Sequence, residues 1–146
     1  MPLFHDTAVR DALRTRVQSL TPDAPRQWGT MAVDQMLWHV NESLCSALGE
    51  KNHELIKGAI PAPLLKFIVV NFPWPKGAPT YPGFVAGDRY DFAAELTRCL
   101  RLIDTFASRS IEGPWPDSPV FGPVNGRFVS RLQAKHLDHH LKQFGA

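Results

Sequence analysis

Three of the chain's six histidines fall close together near its end, in the sequence His136-Leu137-Asp138-His139-His140. His136 and His140 are four residues apart, so on a helix they lie on one face, one turn apart. Two imidazoles in this arrangement can bind one divalent ion, with each nitrogen about 2 Å from the metal. His139 is one residue out of phase with His140, so we expect it to point elsewhere, nearer the rim of the helix.

A helical wheel supports an inward direction for this pair. Arg131, Lys135, Asp138 and Lys142 share one side, and Val129, Gln133, His136 and His140 share the opposite side. A polar group buried without a partner costs about 1–3 kcal/mol, so two inward imidazoles need one. Two interpretations stay open: a shared metal ion, or hydrogen bonds to the backbone and to Gln133.

A third ligand has to come from another helix, and the candidate is His39 in Met36-Leu37-Trp38-His39. The apolar stripe of that segment runs along the opposite side of its helix, so His39 is either a surface residue or part of a polar cleft that faces the histidine pair. The pattern alone does not decide between these. Glu42 lies on nearly the same face as His39. Three interpretations stay open for it: a partner that orients an imidazole, a general base, or a solvated carboxylate.

Proline clusters at 22–25, 61–63, 73–82 and 114–123 divide the chain into helical segments. The caps and apolar periodicity predict helices from Asp6 to about Leu20, from Thr30 to about Gly49, from Pro63 to Asn71, from Asp88 or Asp91 to Ser108, and from Arg127 to Phe144. No segment alternates like a strand, so we predict an all-α helix bundle.

The short helix from Pro63 to Asn71 is apolar nearly all round and should be largely buried. The long loops at 72–87 and 109–126 should be functional or act as lids.

Composition is typical of one globular domain spanning residues 1–146, with 44% hydrophobic and 21% charged residues. A net charge of +2 gives no reason to expect nucleic-acid binding. Cys45 and Cys99 should be buried reduced thiols, and His5 and His53 should be exposed. The chain start lacks the apolar core of a signal peptide, and the most apolar stretch is too short to span a membrane, which predicts a cytoplasmic protein.

Two motifs resemble those of DinB-like proteins. Trp28-Gly29-Thr30-Met31 with Gln35-Met36-Leu37-Trp38-His39 resembles the motif of their second helix, and Lys135-His136-Leu137-Asp138-His139-His140-Leu141-Lys142-Gln143-Phe144-Gly145 resembles that of their last helix. The similarity extends over most of the chain. It points to a branch with a Lys-His-x-x-His-His-x-x-Gln-Phe ending.

The resemblance implies a four-helix bundle with an additional short helix, and a histidine triad formed by His39, His136 and His140. Characterised members of this family are metal-dependent transferases that use low-molecular-weight thiols such as bacillithiol or mycothiol, and a related isomerase. One position departs from the branch pattern, because Ser118 stands where a histidine often precedes Pro-x-Phe-Gly. A pocket-facing polar group would therefore differ in this chain.

Three protein ligands leave a fourth position for a thiol or water, which is typical of catalytic metal sites. Zinc, nickel and iron suit three imidazoles about equally. We therefore expect a metal-dependent transferase or hydrolase that acts on a small electrophile, with a low-molecular-weight thiol or water as the nucleophile. Two alternatives stay open: a non-catalytic protein that binds a small apolar ligand, and an interaction protein that dimerises through an apolar helix face. The four tryptophans are assigned no role.

Overall fold

The computed structural model describes residues 2–146 and is all-helical over that range. It contains α1 (Thr7–Gln18), α2 (Val33–Leu48), α3 (Ala62–Asn71), α4 (Phe92–Ser108) and α5 (Gly126–Gln143), with a 3-10 turn at Pro82–Phe84. No β-strand occurs between residues 2 and 146, where one isolated bridge joins Ser118 to Gly122. The all-α prediction is confirmed, and all five predicted helices are present.

The helix ends follow local signals in the sequence. The carboxylate of Asp91 accepts the backbone N–H of Ala94 at 2.7 Å, which identifies Asp91 as the cap of α4. Asn125 caps α5 in the same way, through the N–H of Phe128. Gly49 ends α2 with a φ of +76°, a conformation that glycine adopts without strain.

The apolar core lies between the four longer helices, because α1 and α2 each contact both α4 and α5. These contacts form a closed cycle in the order α1, α4, α2, α5. The fully buried apolar side chains include Val17, Leu37, Leu44, Leu102, Ile103, Phe106, Leu137 and Leu141. The predicted apolar stripes of these helices therefore face one another.

α2 is buried on nearly all sides, since α4 packs on one side while α5 and the 3-10 turn pack on the other. It begins at Val33, slightly later than the expected start after Thr30. Its polar side is buried with the apolar one: His39 is 4% exposed and Glu42 is 2% exposed. The sequence pattern left the place of His39 open between the surface and a cleft, and the packing of α5 and the 3-10 turn buries it.

α3 departs from expectation. Leu64 and Phe67 are 50% and 57% exposed, and only Val70 of this helix is buried. The prediction of a largely buried helix is wrong, because α3 packs on α5 alone among the helices and its other side has no neighbour. No helix within residues 2–146 combines the length and apolarity needed to cross a membrane.

Candidate metal centre

Side chains from α2 and α5 converge in one histidine cluster. Nε2 of His39 lies 2.8 Å from Nε2 of His136, and the ring of His140 lies 4.6 Å from that of His39, centroid to centroid. One nitrogen from each of the three rings can be chosen so that all lie within 4.8 Å of one another. His39, His136 and His140 are therefore close enough to hold one metal ion.

His39 is held by the backbone of the 3-10 turn. Its Nδ1 lies 2.8 Å from the carbonyl oxygen of Phe84, which can only accept a hydrogen bond. The proton is therefore on Nδ1, and Nε2 presents a lone pair to the other histidines. Since His39 is buried, the surface alternative is wrong and the cleft alternative is confirmed.

His140 is oriented by Gln143, one turn further along α5. The side-chain amide of Gln143 donates to the carbonyl oxygen of Trp28 at 2.9 Å, which leaves its own oxygen 2.9 Å from Nδ1 of His140. Nδ1 of His140 therefore carries the proton, and its Nε2 is free to bind a metal. A Cβ at Gly29 would lie 2.5 Å from the Gln143 amide nitrogen, so glycine is required there.

The spacing of the nitrogens tests whether an ion fits. Two imidazole nitrogens that bind one tetrahedral ion at about 2 Å are about 3.3 Å apart. The Nε2 atoms of His39 and His136 are 2.8 Å apart, so binding requires them to separate by about half an ångström. Small rotations of the rings supply such a movement, and the donor set of three imidazoles suits a divalent transition metal.

Burial keeps these imidazoles neutral. The pKa of His39 and that of His136 both lie below the usual value, chiefly because the site shields the rings from water. The pKa of His140 falls to about 3 for the same reason, helped by the proximity of His39. Neutral imidazole is the form that binds metals, so the site needs no deprotonation at pH 7.

His139 lies beside the triad without belonging to it. Its ring lies 5.7 Å from that of Trp28 and 5.4 Å from that of Trp74, centroid to centroid. His139 is partly buried, and it lines the same cavity as the triad. His139 therefore stays outside the triad, but it lines the same cavity instead of pointing elsewhere, and its contacts with the two tryptophans are not visible in the sequence pattern.

Glu42 has a different environment from the three imidazoles. Its carboxylate pairs with Lys51, and its other oxygen accepts from Arg98 at 3.0 Å. Glu42 is not one of the described residues that line the cavity around the triad. These ion pairs bind the Glu42 carboxylate to Lys51 and to Arg98 of α4, and the imidazole-orienting and general-base interpretations stay predictions.

An open cavity of about 930 Å³ surrounds the triad. Its walls come from α2, α3, α5 and both long loops, including Trp74 of the first loop and Phe121 of the second. The long loops therefore do line a pocket, as predicted.

Two polar residues, Gln133 and Ser118, also line this cavity, and Gln133 donates to Ser43 at 3.1 Å. Ser118, the position that departs from the branch pattern, therefore lies in the cavity wall.

Two other histidines are less exposed than expected. His5 is partly buried, with Nδ1 2.9 Å from the Ser130 hydroxyl and Nε2 2.9 Å from the carbonyl oxygen of Arg109. His53 is partly buried against Phe84, with ring centroids 5.0 Å apart. Both predictions of exposure are wrong, because His5 packs between α5 and the end of α4, and the loop that carries Phe84 covers His53. Cys45 and Cys99 are buried free thiols, as predicted.

Gln143 is the residue of the site that the sequence analysis missed. It was visible as part of the last-helix motif, and its spacing of three residues from His140 places both on one helix face. The Phe84 carbonyl gave no signal, because backbone acceptors have no side-chain signature. Comparisons with protein-family models, curated proteins and solved structures find no match to this chain.

Proposed function

We propose that this chain is a DinB-like four-helix bundle in which His39, His136 and His140 bind one divalent metal ion, and that it is a transferase or hydrolase acting on a small electrophile. The observation that carries the proposal is the convergence of three neutral imidazoles from α2 and α5 in an open cavity. The closed cycle of contacts among α1, α4, α2 and α5 supports the bundle.

The chain's own residues prepare the site. The Phe84 carbonyl and the Gln143 side chain fix the tautomers of His39 and His140, so that both rings direct a lone pair inward. When bound, a divalent ion with three protein ligands keeps one position open and makes a thiol or water there nucleophilic near neutral pH.

The test is the metal content of protein purified without a histidine tag, measured by plasma mass spectrometry. We expect about one zinc, nickel or iron per chain in the wild type and its loss in His136→Ala. His139→Ala is the matched control, because this neighbouring histidine lies outside the triad, and it should keep the metal. A wild type that binds none of the three metals after their addition would overturn the proposal.

Activity is a separate measurement. Metal-loaded protein should consume small electrophiles in the presence of a low-molecular-weight thiol or of water alone, and His136→Ala should lose this activity. Turnover by the metal-free protein at the same rate would contradict a metal-dependent reaction.

A non-catalytic interaction role is the second candidate, and the exposed side of α3 favours it. Leu64 and Phe67 are at least half exposed on a helix that packs on one neighbour only. If two copies associate through this side, light scattering should give a dimer mass for the wild type and a monomer mass for Phe67→Lys. A monomeric wild type would exclude the dimer.

A further inference from the structure

We infer that the part of the bound molecule that lies against the wall of the triad's cavity, away from the metal, is uncharged and largely apolar. The inference rests on the proposed function, since it names the substrate class of the same site. It follows from three features of the cavity wall: the absence of charged side chains, polar side chains that already bind other groups of the protein, and a mostly apolar lining.

Charge is absent from the cavity wall. Within residues 2–146, no aspartate, glutamate, lysine or arginine lines it, and its only titratable side chains besides Tyr81 are histidines. A charged ligand group placed against this wall, away from the triad and its metal, would gain no counter-charge from a side chain that lines the cavity, which disfavours it.

Most polar side chains of the cavity wall already form hydrogen bonds within the protein. Gln133 and Ser43 bind each other, and Gln143 bridges His140 and Trp28. The Ser118 hydroxyl accepts two backbone N–H groups of its own loop. Few side-chain groups besides the triad are left to bind a polar substituent.

The remaining wall is apolar and aromatic. Trp28, Trp74, Phe121, Phe128 and Leu132 line a space of about 930 Å³, near the upper end of the usual range for small-molecule sites. Flat aromatic walls stack on planar apolar ligands. A ligand can therefore bind mainly by apolar contact, with one group directed at the triad.

The two nearest lysines do not supply the missing charge. Nζ of Lys135 donates to the carbonyl oxygens of Val69 and Phe72 and lies 5.2 Å from the Trp74 ring centroid. Nζ of Lys76 lies 4.9 Å from the Trp28 ring centroid. Both cations lie against tryptophans of the wall without lining the cavity. A nucleophile that carries several carboxylates, as bacillithiol does, is therefore a poor fit, and water or an uncharged thiol fits better.

Two dyes with the same skeleton test the inference. N-phenyl-1-naphthylamine is neutral, and 8-anilinonaphthalene-1-sulfonate carries one added sulfonate. In chelator-treated protein we expect the neutral dye to bind at one saturable site at least about tenfold more tightly than the anionic dye. Energy transfer from the tryptophans of the chain to the dye reports binding. Equal affinities, tighter binding of the anionic dye or no saturable binding would overturn the inference.

A matched pair of variants locates the bound dye. Leu132→Arg adds a cation to the cavity wall and should reverse the preference toward the anionic dye. Leu64→Arg makes the same change on the exposed side of α3, outside the cavity, and should leave the preference unchanged. If Leu64→Arg abolishes binding of the neutral dye, the dye binds the surface of α3 and the inference fails. Circular dichroism confirms that each variant folds, and Val124→Arg provides a second cavity position if Leu132→Arg does not.

Metal-free protein keeps this result separate from the proposed function. Loss of metal binding with retained dye selectivity would remove the metal centre but leave the apolar cavity. Metal binding without dye selectivity would keep the metal centre but overturn the apolar character inferred for the ligand.

Discussion

The side-chain oxygen of Gln143 accepts the Nδ1 proton of His140 at 2.9 Å, one turn away on the same helix. The orientation of this amide is not free, since its nitrogen donates to the carbonyl oxygen of Trp28. A chain segment before α2 therefore determines the tautomer of a histidine on α5. Such partners of metal-binding histidines affect affinity almost as strongly as the ligands do.

Gln143→Leu should lower metal affinity by about 10- to 100-fold, because His140 loses the acceptor that fixes its tautomer. Competition with a chromogenic chelator measures this change. Gln133→Leu is the control, since this amide on the same helix binds Ser43 and no histidine of the triad. Equal metal affinity of Gln143→Leu and the wild type would show that Gln143 does not support the site.

Gly29→Ala should destabilise the protein more than Gly77→Ala does. Both glycines have positive φ, +83° and +79°, so alanine costs about 1–2 kcal/mol at either position. Only at Gly29 would the new Cβ also meet the Gln143 amide, at 2.5 Å, whereas nothing lies within 4 Å at Gly77. Disrupting the bond to Trp28 adds about 1–2 kcal/mol.

Urea unfolding with and without metal measures both effects of these alanines. Gly29→Ala should also weaken metal binding, because it displaces Gln143 from His140. Equal losses for the two variants would contradict the role assigned to this contact.

The free energy of unfolding of the metal-free protein should decrease as the pH falls from 6.5 toward 4. Unfolded imidazoles take up protons in this range, whereas the pKa of His140 in the folded state is about 3 and that of His136 is also well below 6.5. The unfolded state then binds more protons, so stability falls by up to about 1.4 kcal/mol per pH unit for each such histidine.

Denaturation at a series of pH values measures this slope, and His140→Gln should have a smaller one. The pKa values of Asp34 and Asp138 lie below 3.8, so these carboxylates contribute mainly below this window. Stability independent of pH between 6.5 and 4 would show that the imidazoles are not held neutral by burial.

Glu42→Gln should lower the free energy of unfolding by about 2 kcal/mol, because it removes the carboxylate that pairs with Lys51 and one of the two carboxylates that pair with Arg98, which keeps Glu95. Metal content should stay at the wild-type level, since Glu42 lies outside the triad's cavity. Thermal unfolding and metal analysis together test this. A variant of wild-type stability that has lost activity would support Glu42 as a catalytic candidate.

Local signals in the sequence were sufficient for the helices and for one half of the site. Prolines, caps such as Asp91, and apolar periodicity act within a few residues, so they predict where helices begin and end. The pairing of His136 with His140 is equally local, because a spacing of four residues alone places both on one helix face.

Tertiary packing decided the position of His39 and the exposure of α3. Periodicity shows which side of a helix is apolar, but not whether another element covers the polar side, as α5 and the 3-10 turn do for His39. It also does not show whether an apolar helix has neighbours on every side, and α3 lacks them. The cavity depends in the same way on loops that are distant in sequence, so spacing alone could pair His136 with His140, whereas the place of His39 beside them and the surroundings of the site required the fold.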